Sequence, residues 1–299
     1  ALIELIDDPR HTVTADGTAQ TTDELSKSIS VVDSQSIDQL DKSSIADSLS
    51  YVPGLRIQQM GGPGGVVSIK TRGLRNQDTA VLMDGFRLRD ASATQGDASA
   101  LLQDLIVTNV DRVEVLRGTG SSIYGTDATG GVINIITGTT GGDTHGTVRL
   151  EGGSMDTFRG RAGVTGSVLH NKLGYSFGIS HLNVVSGLDG NLPDRTSSLQ
   201  GRFDYALSNK TRISGRLFIS DSFSLVTSSP MVAGNVPSSG VINAVALSPA
   251  ELRQFENGTP VENLNLGNAT FISDFDNPDS KRSARIYSGA LELSTHPTD

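Results

Sequence analysis

The sequence predicts two parts, an α+β domain over residues 25–140 followed by antiparallel transmembrane β-barrel strands over residues 141–299. Three observations lead to this class. Before residue 140, glycine-bounded runs of β-branched residues alternate with short helical signals. After residue 140, apolar and polar residues alternate with period two, as in strands that have one apolar face. The connections between these later segments are alternately very short and long, which is typical of membrane barrels.

Composition excludes several classes of function. The chain has 299 residues and a net charge of −9, which argues against a general nucleic-acid binder, because phosphate recognition needs a basic face. It has no cysteine, so disulfides, Fe–S clusters and zinc–thiolate sites are excluded. No apolar run is long enough to form a transmembrane helix.

The first segment, residues 1–24, is polar after its first six residues, so we predict a flexible leader. The domain that follows contains one clear helix signal, "IADSLSYV". Ser43 or Ser44 can cap this helix, and Pro53 with Gly54 stops it. Short strands are predicted at "LRIQ", "VVSIKT", "AVLMD" and "RVEVL".

The glycine-rich stretch "RVEVLRGTGSSIYGTDATGGVINIIT" (112–137) raises the question of a phosphate site. Gly120 and Gly125 have the spacing of a P-loop, but Thr126 and Asp127 stand where Lys and Ser or Thr are required. The dinucleotide fingerprint also fails, because Ile123 occupies its third glycine position. We therefore interpret the stretch as two strands joined by one helical turn that ends at Gly125.

This stretch resembles the end of the plug domain of TonB-dependent outer-membrane receptors. "IADSLSYVPGLRI", "IKTRG" and "VLMDGFRL" precede it in the order and spacing of that family, so the resemblance covers residues 25 to 137. Within that family, these motifs most resemble those of the cobalamin-receptor branch. Thr119 departs from the pattern, which usually has Pro there. The resemblance implies a bacterial outer-membrane receptor, not an enzyme, that takes up a metal chelate, cobalamin or a glycan.

The resemblance also implies functional positions. In the leader, "TVTA" (Thr12, Val13, Thr14, Ala15) is similar to part of the TonB box, a segment that adds as a strand to the TonB-type energising protein. Two plug loops would face substrate, through Gly61, Gly62, Pro63 and Gly64 in the first, and Arg87, Arg89 and Asp90 in the second. The alternative is that both loops are ordinary solvated turns, with no contact to substrate. Arg72, Glu114 and Arg117 would form a latch between plug and barrel.

The second part alternates clearly. In "FRGRAGVTGSVL", for example, Phe158, Ala162 and Val164 share one face and Arg159 and Arg161 the other. A soluble sheet packed on one side would show the same period. Loop lengths favour a membrane barrel, whose outer surface contacts lipid. Strands are predicted near 146–153, 158–169, 172–184, 197–208, 211–221 and 281–294.

Six strands cannot close a barrel around a plug, because receptors of this kind have about 22 strands and the smallest outer-membrane barrels have about eight. We therefore expect an incomplete 22-strand barrel, the N-terminal portion of a longer receptor. The alternative is a structural or scaffolding outer-membrane protein that keeps the fold without transport. Deleting the leader discriminates the two hypotheses, because only transport needs it.

No cofactor is predicted. Calcium is the one metal considered, with Asp189 and Asp194 in "GLDGNLPD" as candidate ligands, although two acids in a glycine-rich loop are usually just solvated. "SPAELRQFENG" (248–258) has a capping box, so we predict a short helix within the long connection. The sequence does not name the ligand.

Overall fold

The computed structural model of the chain describes residues 11–12, 20–21, 27–59, 64–90, 96–185, 194–225, 231–236, 239–240, 243–273 and 281–295. Its strands form a five-stranded sheet, a six-stranded sheet and three two-stranded sheets. We call residues 27–138 the plug and the six-stranded sheet the wall. Among the described residues, no helix is long and apolar enough to cross a membrane.

Nine strands precede residue 138: β1 (His11–Thr12), β2 (Gln20–Thr21), β3 (Ile29–Asp33), β4 (Leu55–Gln59), β5 (Val67–Thr71), β6 (Thr79–Met83), β7 (Phe86–Leu88), β8 (Val110–Arg117) and β9 (Gly131–Thr137). The plug sheet has the order β3-β8-β9-β6-β7. β6 and β9 pair in parallel, and the other neighbours pair antiparallel. β4 and β5 form a separate hairpin. The predicted strands are confirmed, and β1, β2, β3 and β7 are additions that the sequence pattern did not reveal.

The helices are short: α1 (Ser34–Leu40), α2 (Ile45–Ser48), α3 (Ser99–Leu102), α4 (Ser121–Tyr124) and α5 (Pro249–Glu256). Ser44 caps α2 as predicted, because its hydroxyl accepts from the Asp47 N–H at 3.0 Å. Asp33 caps α1 by accepting from the Ser36 N–H at 2.7 Å. Hydrogen bonds from the Ser36 hydroxyl and its backbone N–H hold the pKa of Asp33 below its ordinary value.

The glycine-rich stretch is a structural bend, as interpreted. α4 is its single helical turn, and Gly125 ends that turn with a φ of 86°, a conformation that residues with a Cβ rarely adopt. Gly131 allows close backbone approach, since a Cβ there would lie 2.6 Å from the Leu116 carbonyl oxygen. These glycines serve the packing of β8 against β9.

The plug has its own hydrophobic core between its sheet and helices α1 to α3. Buried aliphatic residues from both layers form it, among them Ile37, Leu49, Val113 and Ile133. Two wall residues join this core: Phe218, which is 3% exposed, and the partly buried Ile286. The plug is therefore packed against the wall through apolar as well as polar contacts.

The wall is an antiparallel meander in the order β10-β11-β12-β13-β14-β17. Its strands are β10 (His145–Gly153), β11 (Thr157–Val168), β12 (Leu173–Val184), β13 (Asp194–Ala206), β14 (Thr211–Leu225) and β17 (Lys281–Thr295). Each overlaps a predicted strand. The largest differences are at β13, which starts earlier, and β14, which ends later, because both extend toward the long connections.

The two faces of the wall differ in chemistry. Exposed apolar side chains cover the face away from the plug, including Leu150, Phe158, Val164, Phe177, Ile179, Phe203, Leu217 and Leu291. Buried polar side chains cover the face toward the plug, including Arg159, Ser176, Ser180, Ser198, Gln200, Asp204, Ser214 and Ser222. An apolar exterior with a polar interior is the arrangement of a barrel wall in lipid.

The connection between β14 and β17 contains a small folded unit. Within it lie β15 (Met231–Val232), the predicted helix α5, and β16 (Phe271–Ile272), which pairs with β15. The cap of α5 is confirmed by the hydrogen bond from the Glu251 N–H to the Ser248 hydroxyl at 3.3 Å. The unit has its own buried cluster, formed by Ala233, Leu247, Leu264, Ala269 and Ile272.

Candidate functional site

The candidate site is the interface between plug and wall, because a plug that moves must break it. Four plug aspartates form ion pairs with wall arginines. They are Asp38 with Arg149 and Arg161, Asp41 with Arg149 and Arg159, Asp84 with Arg216, and Asp104 with Arg282. These contacts share one polarity, with the anion on the plug and the cation on the wall.

The most buried of these contacts is centred on Asp104, just after α3. Its side chain is 1% exposed, and both carboxylate oxygens accept from the Arg282 guanidinium, at 2.7 and 2.6 Å. The Ser222 hydroxyl donates to the same carboxylate at 2.7 Å. A bidentate, additionally hydrogen-bonded pair of this kind is strong once formed, and removing one partner leaves a buried uncompensated charge.

A second contact lies at the hairpin between β6 and β7. Asp84 and Gly85 both have positive φ, 49° and 83°, as a tight two-residue turn requires. The Asp84 carboxylate accepts from the Thr137 N–H at 2.9 Å and from its hydroxyl at 2.7 Å. Arg216 of the wall approaches this carboxylate at 3.6 Å, and its guanidinium lies 5.5 Å from the centre of the Phe86 ring. The turn therefore links the plug sheet to β14.

The third contact is at the end of α1 and is more open. Asp38 binds Arg161 at 2.6 Å, and Asp41 binds Arg149 at 2.8 Å. The two aspartates are 53% and 56% exposed, so water and salt screen these pairs. α1 is therefore held less tightly than the loop that carries Asp104.

An uncharged contact lies at Thr108 and Asn109, just before β8. The Asn109 side chain donates to the Ser176 hydroxyl at 2.7 Å, and the Gln200 side chain donates to the Asn109 carbonyl at 2.9 Å. The Thr108 and Ser198 hydroxyls are also hydrogen-bonded. Gly178 of β12 makes room for this segment, since a Cβ there would lie 2.5 Å from the Asn109 Cβ.

The predicted latch residues make their described contacts within the plug. The Glu114 carboxylate is fully buried there and accepts from Arg112 of the same strand at 2.9 Å. Arg117 donates to the Pro53 carbonyl at 3.3 Å, and Arg72 lies in an exposed turn with a φ of 52°. For all three residues the latch role stays a prediction. The period-two pattern of a strand predicts that its charged side chains face water. It therefore could not show that Arg112 and Glu114 are buried together.

The predicted substrate loops fall partly within the described residues. Gly61, Gly62 and Pro63 lie outside them, and Gly64 lies against the wall, where a Cβ would come 2.5 Å from the Asp194 carboxylate. Gly64 is thus at the end of the wall that bears the long connections.

The second predicted loop makes its described contacts within the plug. Arg87 forms an ion pair with Asp127. The Arg89 guanidinium packs on Gly96, and the Asp90 N–H donates to the Asp97 carbonyl at 3.2 Å. Contact of these residues with substrate stays a prediction.

The TonB-box residues Val13, Thr14 and Ala15 lie outside the described residues, while Thr12 belongs to β1, which pairs with β2. Asp189 also lies outside them. Asp194, the other calcium candidate, is 5% exposed, and neither of its carboxylate oxygens has a hydrogen-bond partner among the described residues. In the part of the chain that is described, no three His, Cys, Asp or Glu residues group as metal ligands. Calcium binding by Asp189 and Asp194 stays a prediction.

Comparison with known proteins agrees with this architecture. Residues 21–132 match the family described as TonB-dependent Receptor Plug Domain. The chain is 35% identical over 142 residues to the vitamin B12 transporter BtuB of Vibrio vulnificus, covering 48% of this chain and 23% of that protein. It is 34% identical over 140 residues to BtuB of Photobacterium profundum, covering 47% and 22%. The chain thus spans less than a quarter of the length of these relatives.

Solved structures share the fold. The ferripyoverdine receptor of the outer membrane of Pseudomonas aeruginosa superposes with a TM-score of 0.62 and 21% identity, over 78% of this chain and 30% of that one. The alcaligin outer-membrane receptor FauA of Bordetella pertussis gives a TM-score of 0.58 and 19% identity, over 75% and 37%. The six strands and the plug occupy part of such receptors.

Proposed function

We propose that the chain is part of a TonB-dependent receptor of the bacterial outer membrane and that it serves the uptake of a scarce ligand from outside the cell. The ligand would bind the plug loops and the loops of the wall. A TonB-type energising protein would then pull the N-terminal segment and rearrange the plug. The matched relatives are transporters and receptors rather than enzymes, and we assign no catalytic step or resident cofactor.

One observation carries this proposal: a separately folded plug sits on the polar face of an amphipathic wall. Its contacts with that face include many hydrogen bonds and ion pairs, which can exchange with water when the plug moves, beside apolar contacts at Phe218 and Leu182. A static scaffold gains little from such polar contacts, because buried ion pairs carry a large desolvation cost.

For the ligand we propose cobalamin or a related corrinoid. The support is the similarity of the plug segment to vitamin B12 transporters, at 35% and 34% identity. The structural neighbours that bind siderophores are too dissimilar in sequence to indicate a ligand. A ferric siderophore or a glycan is the competing class.

Binding to isolated outer membranes tests the ligand. We expect saturable binding of radiolabelled cyanocobalamin that unlabelled cyanocobalamin displaces and a ferric siderophore does not. Displacement by the siderophore alone would assign the ligand to the other class and leave the transport proposal standing.

Deleting residues 1–20 tests transport. These residues precede every strand of the plug sheet, so the deletion should abolish energy-dependent uptake while surface binding of the ligand is unchanged. A matched control replaces the same segment with a glycine–serine sequence of equal length, which should also bind without uptake. Unimpaired uptake by the deletion variant would favour the scaffolding alternative.

A further inference from the structure

The outer face of the wall contains an apolar groove at the end where the connections are short. Six side chains of β12, β13 and β14 line it, and its volume is about 660 Å³. They are Leu173, Tyr175, Phe177, Phe203, Tyr205 and Ile213. All belong to the face that points away from the plug.

Strand register explains the groove. Tyr175, Phe203 and Gly215 lie opposite one another across three strands, and so do Phe177 and Gly201. A Cβ on Gly215 would come 2.1 Å from the Phe203 ring, and a Cβ on Gly201 would come 3.1 Å from the Phe177 ring. Each ring therefore lies over a neighbouring glycine, where no side chain separates it from the sheet, and the groove runs along these rings.

Two exposed lysines stand at the end of this groove. Lys172 directly precedes Leu173, and Lys210 lies in the turn between β13 and β14. The two turns are neighbours, since the Ala206 N–H donates to the Lys172 carbonyl at 2.8 Å. Their sequences, "LHNK" (169–172) and "LSNK" (207–210), contain no acid, although the whole chain has a net charge of −9.

We propose that this groove binds a glycerophospholipid with an anionic headgroup from the leaflet at the short-turn end. One acyl chain occupies the aromatic trough and the phosphate lies at Lys172 and Lys210. The groove is apolar throughout, which fits a hydrocarbon chain, and the lysines complement a negative headgroup. Tyrosine suits the boundary between the two, as in the aromatic girdles of membrane barrels. The proposal depends on the membrane location of the wall and not on transport.

Native mass spectrometry tests the headgroup. The detergent-extracted protein is equilibrated with palmitoyl-oleoyl phosphatidylglycerol or the matching phosphatidylcholine, and bound lipid is counted. We expect tighter retention of phosphatidylglycerol and a loss of roughly thirtyfold in its affinity for Lys172→Ala/Lys210→Ala, because each cation near an anionic lipid surface is worth about fivefold. Lys172→Arg/Lys210→Arg should restore binding.

The matched control removes two exposed cations from the other end of the same face, as Arg195→Ala/Arg285→Ala. It should retain phosphatidylglycerol like the parent. Equal loss in both double variants, or equal retention of the two lipids, would mean ordinary annular lipid and overturn the site. A protein dimer that excludes lipid would overturn it as well.

A phosphatidylglycerol with a photoreactive acyl chain locates the hydrocarbon. Crosslinks should map to peptides that contain residues 173–177 and 203–213. Crosslinks spread evenly over the apolar face, for example at Leu150 or Leu291, would contradict a chain held in the groove. None of these readouts involves ligand uptake, so they fail or succeed independently of the transport proposal.

Discussion

At the scale of single residues, Asp104 is the most consequential group in the plug–wall interface. Replacing it with alanine leaves the Arg282 guanidinium half-buried without its bidentate partner. We expect Asp104→Ala to lower the free energy needed to separate plug from wall by about 3–5 kcal/mol. Hydrogen exchange of the β8 and β9 amides in detergent measures this free energy.

Asp38→Ala is the control, because it also removes one plug aspartate paired with a wall arginine. That aspartate is half-exposed, so its loss should cost less than about 1 kcal/mol. Equal effects of the two substitutions would show that the burial of an ion pair does not determine how much it stabilises the plug–wall interface.

Gly178 is required by its contact with Asn109 and not by its backbone conformation. Gly178→Ala places a methyl group 2.5 Å from the Asn109 Cβ, so we expect overpacking that costs about 1–3 kcal/mol in thermal unfolding of the detergent-solubilised protein. Asn109→Gly should relieve the clash in the double variant. Gly289→Ala is the matched wall control, because its nearest neighbour would lie 3.8 Å away. A destabilised Gly289→Ala would indicate that any wall glycine is sensitive.

The sequence could not predict which residues form pairs across the plug–wall interface. Arg72, Glu114 and Arg117 were selected because charges stood on strand patterns, yet the described ion pairs to the wall come from Asp38, Asp41, Asp84 and Asp104. All four lie in helices, turns or loops, where the pattern has no period. Their partners are more than 100 residues away in sequence, and only the tertiary fold brings them together.

At the scale of elements, α1 depends on its cap. Asp33→Ala removes the acceptor for the Ser36 N–H and should destabilise α1 by about 1 kcal/mol at pH 7, while Asp33→Asn should keep most of that stability. Hydrogen exchange of the α1 amides measures both.

The pKa of Asp33 also sets a pH dependence. Because this pKa is lowered from 3.8 in the folded chain, the carboxylate stabilises α1 above that value and the stabilisation is lost as the pH falls through the folded pKa. The parent should therefore lose α1 protection in this acidic range. Asp33→Asn, which does not titrate, should not share this loss.

The strands were predictable because their pattern reflects their surroundings. Along β11, successive side chains point alternately to the exposed apolar face and to the polar interior. Apolar and polar residues therefore alternate in the sequence with period two. β7 escaped prediction because it has three residues, Phe86–Leu88, and β3 because all five of its residues are half-buried. A strand that is very short, or whose residues are all equally buried, shows no alternation of apolar and polar residues from which it could be predicted.

At the scale of the whole molecule, the wall requires further strands. β10 and β17 are the outer strands of the six-stranded sheet in the described part of the chain. Lipid does not tolerate unpaired backbone groups, so we expect these two strands to pair with others when the wall lies in a membrane. The plug contacts described here then form one sector of a larger ring of contacts.

The transport proposed above requires the plug to move relative to the wall, and a crosslink between Thr108 and Ser198 can test this. The chain has no cysteine, so Thr108→Cys/Ser198→Cys introduces a single pair where the two hydroxyls are hydrogen-bonded across the interface. We expect oxidation to block uptake, because the plug can no longer leave β13, and reduction to restore it. Thr71→Cys/Thr79→Cys is the control, since those hydroxyls lie 2.9 Å apart within the plug. Full uptake with the interface crosslink complete would mean that the ligand passes while this sector of the plug stays in place.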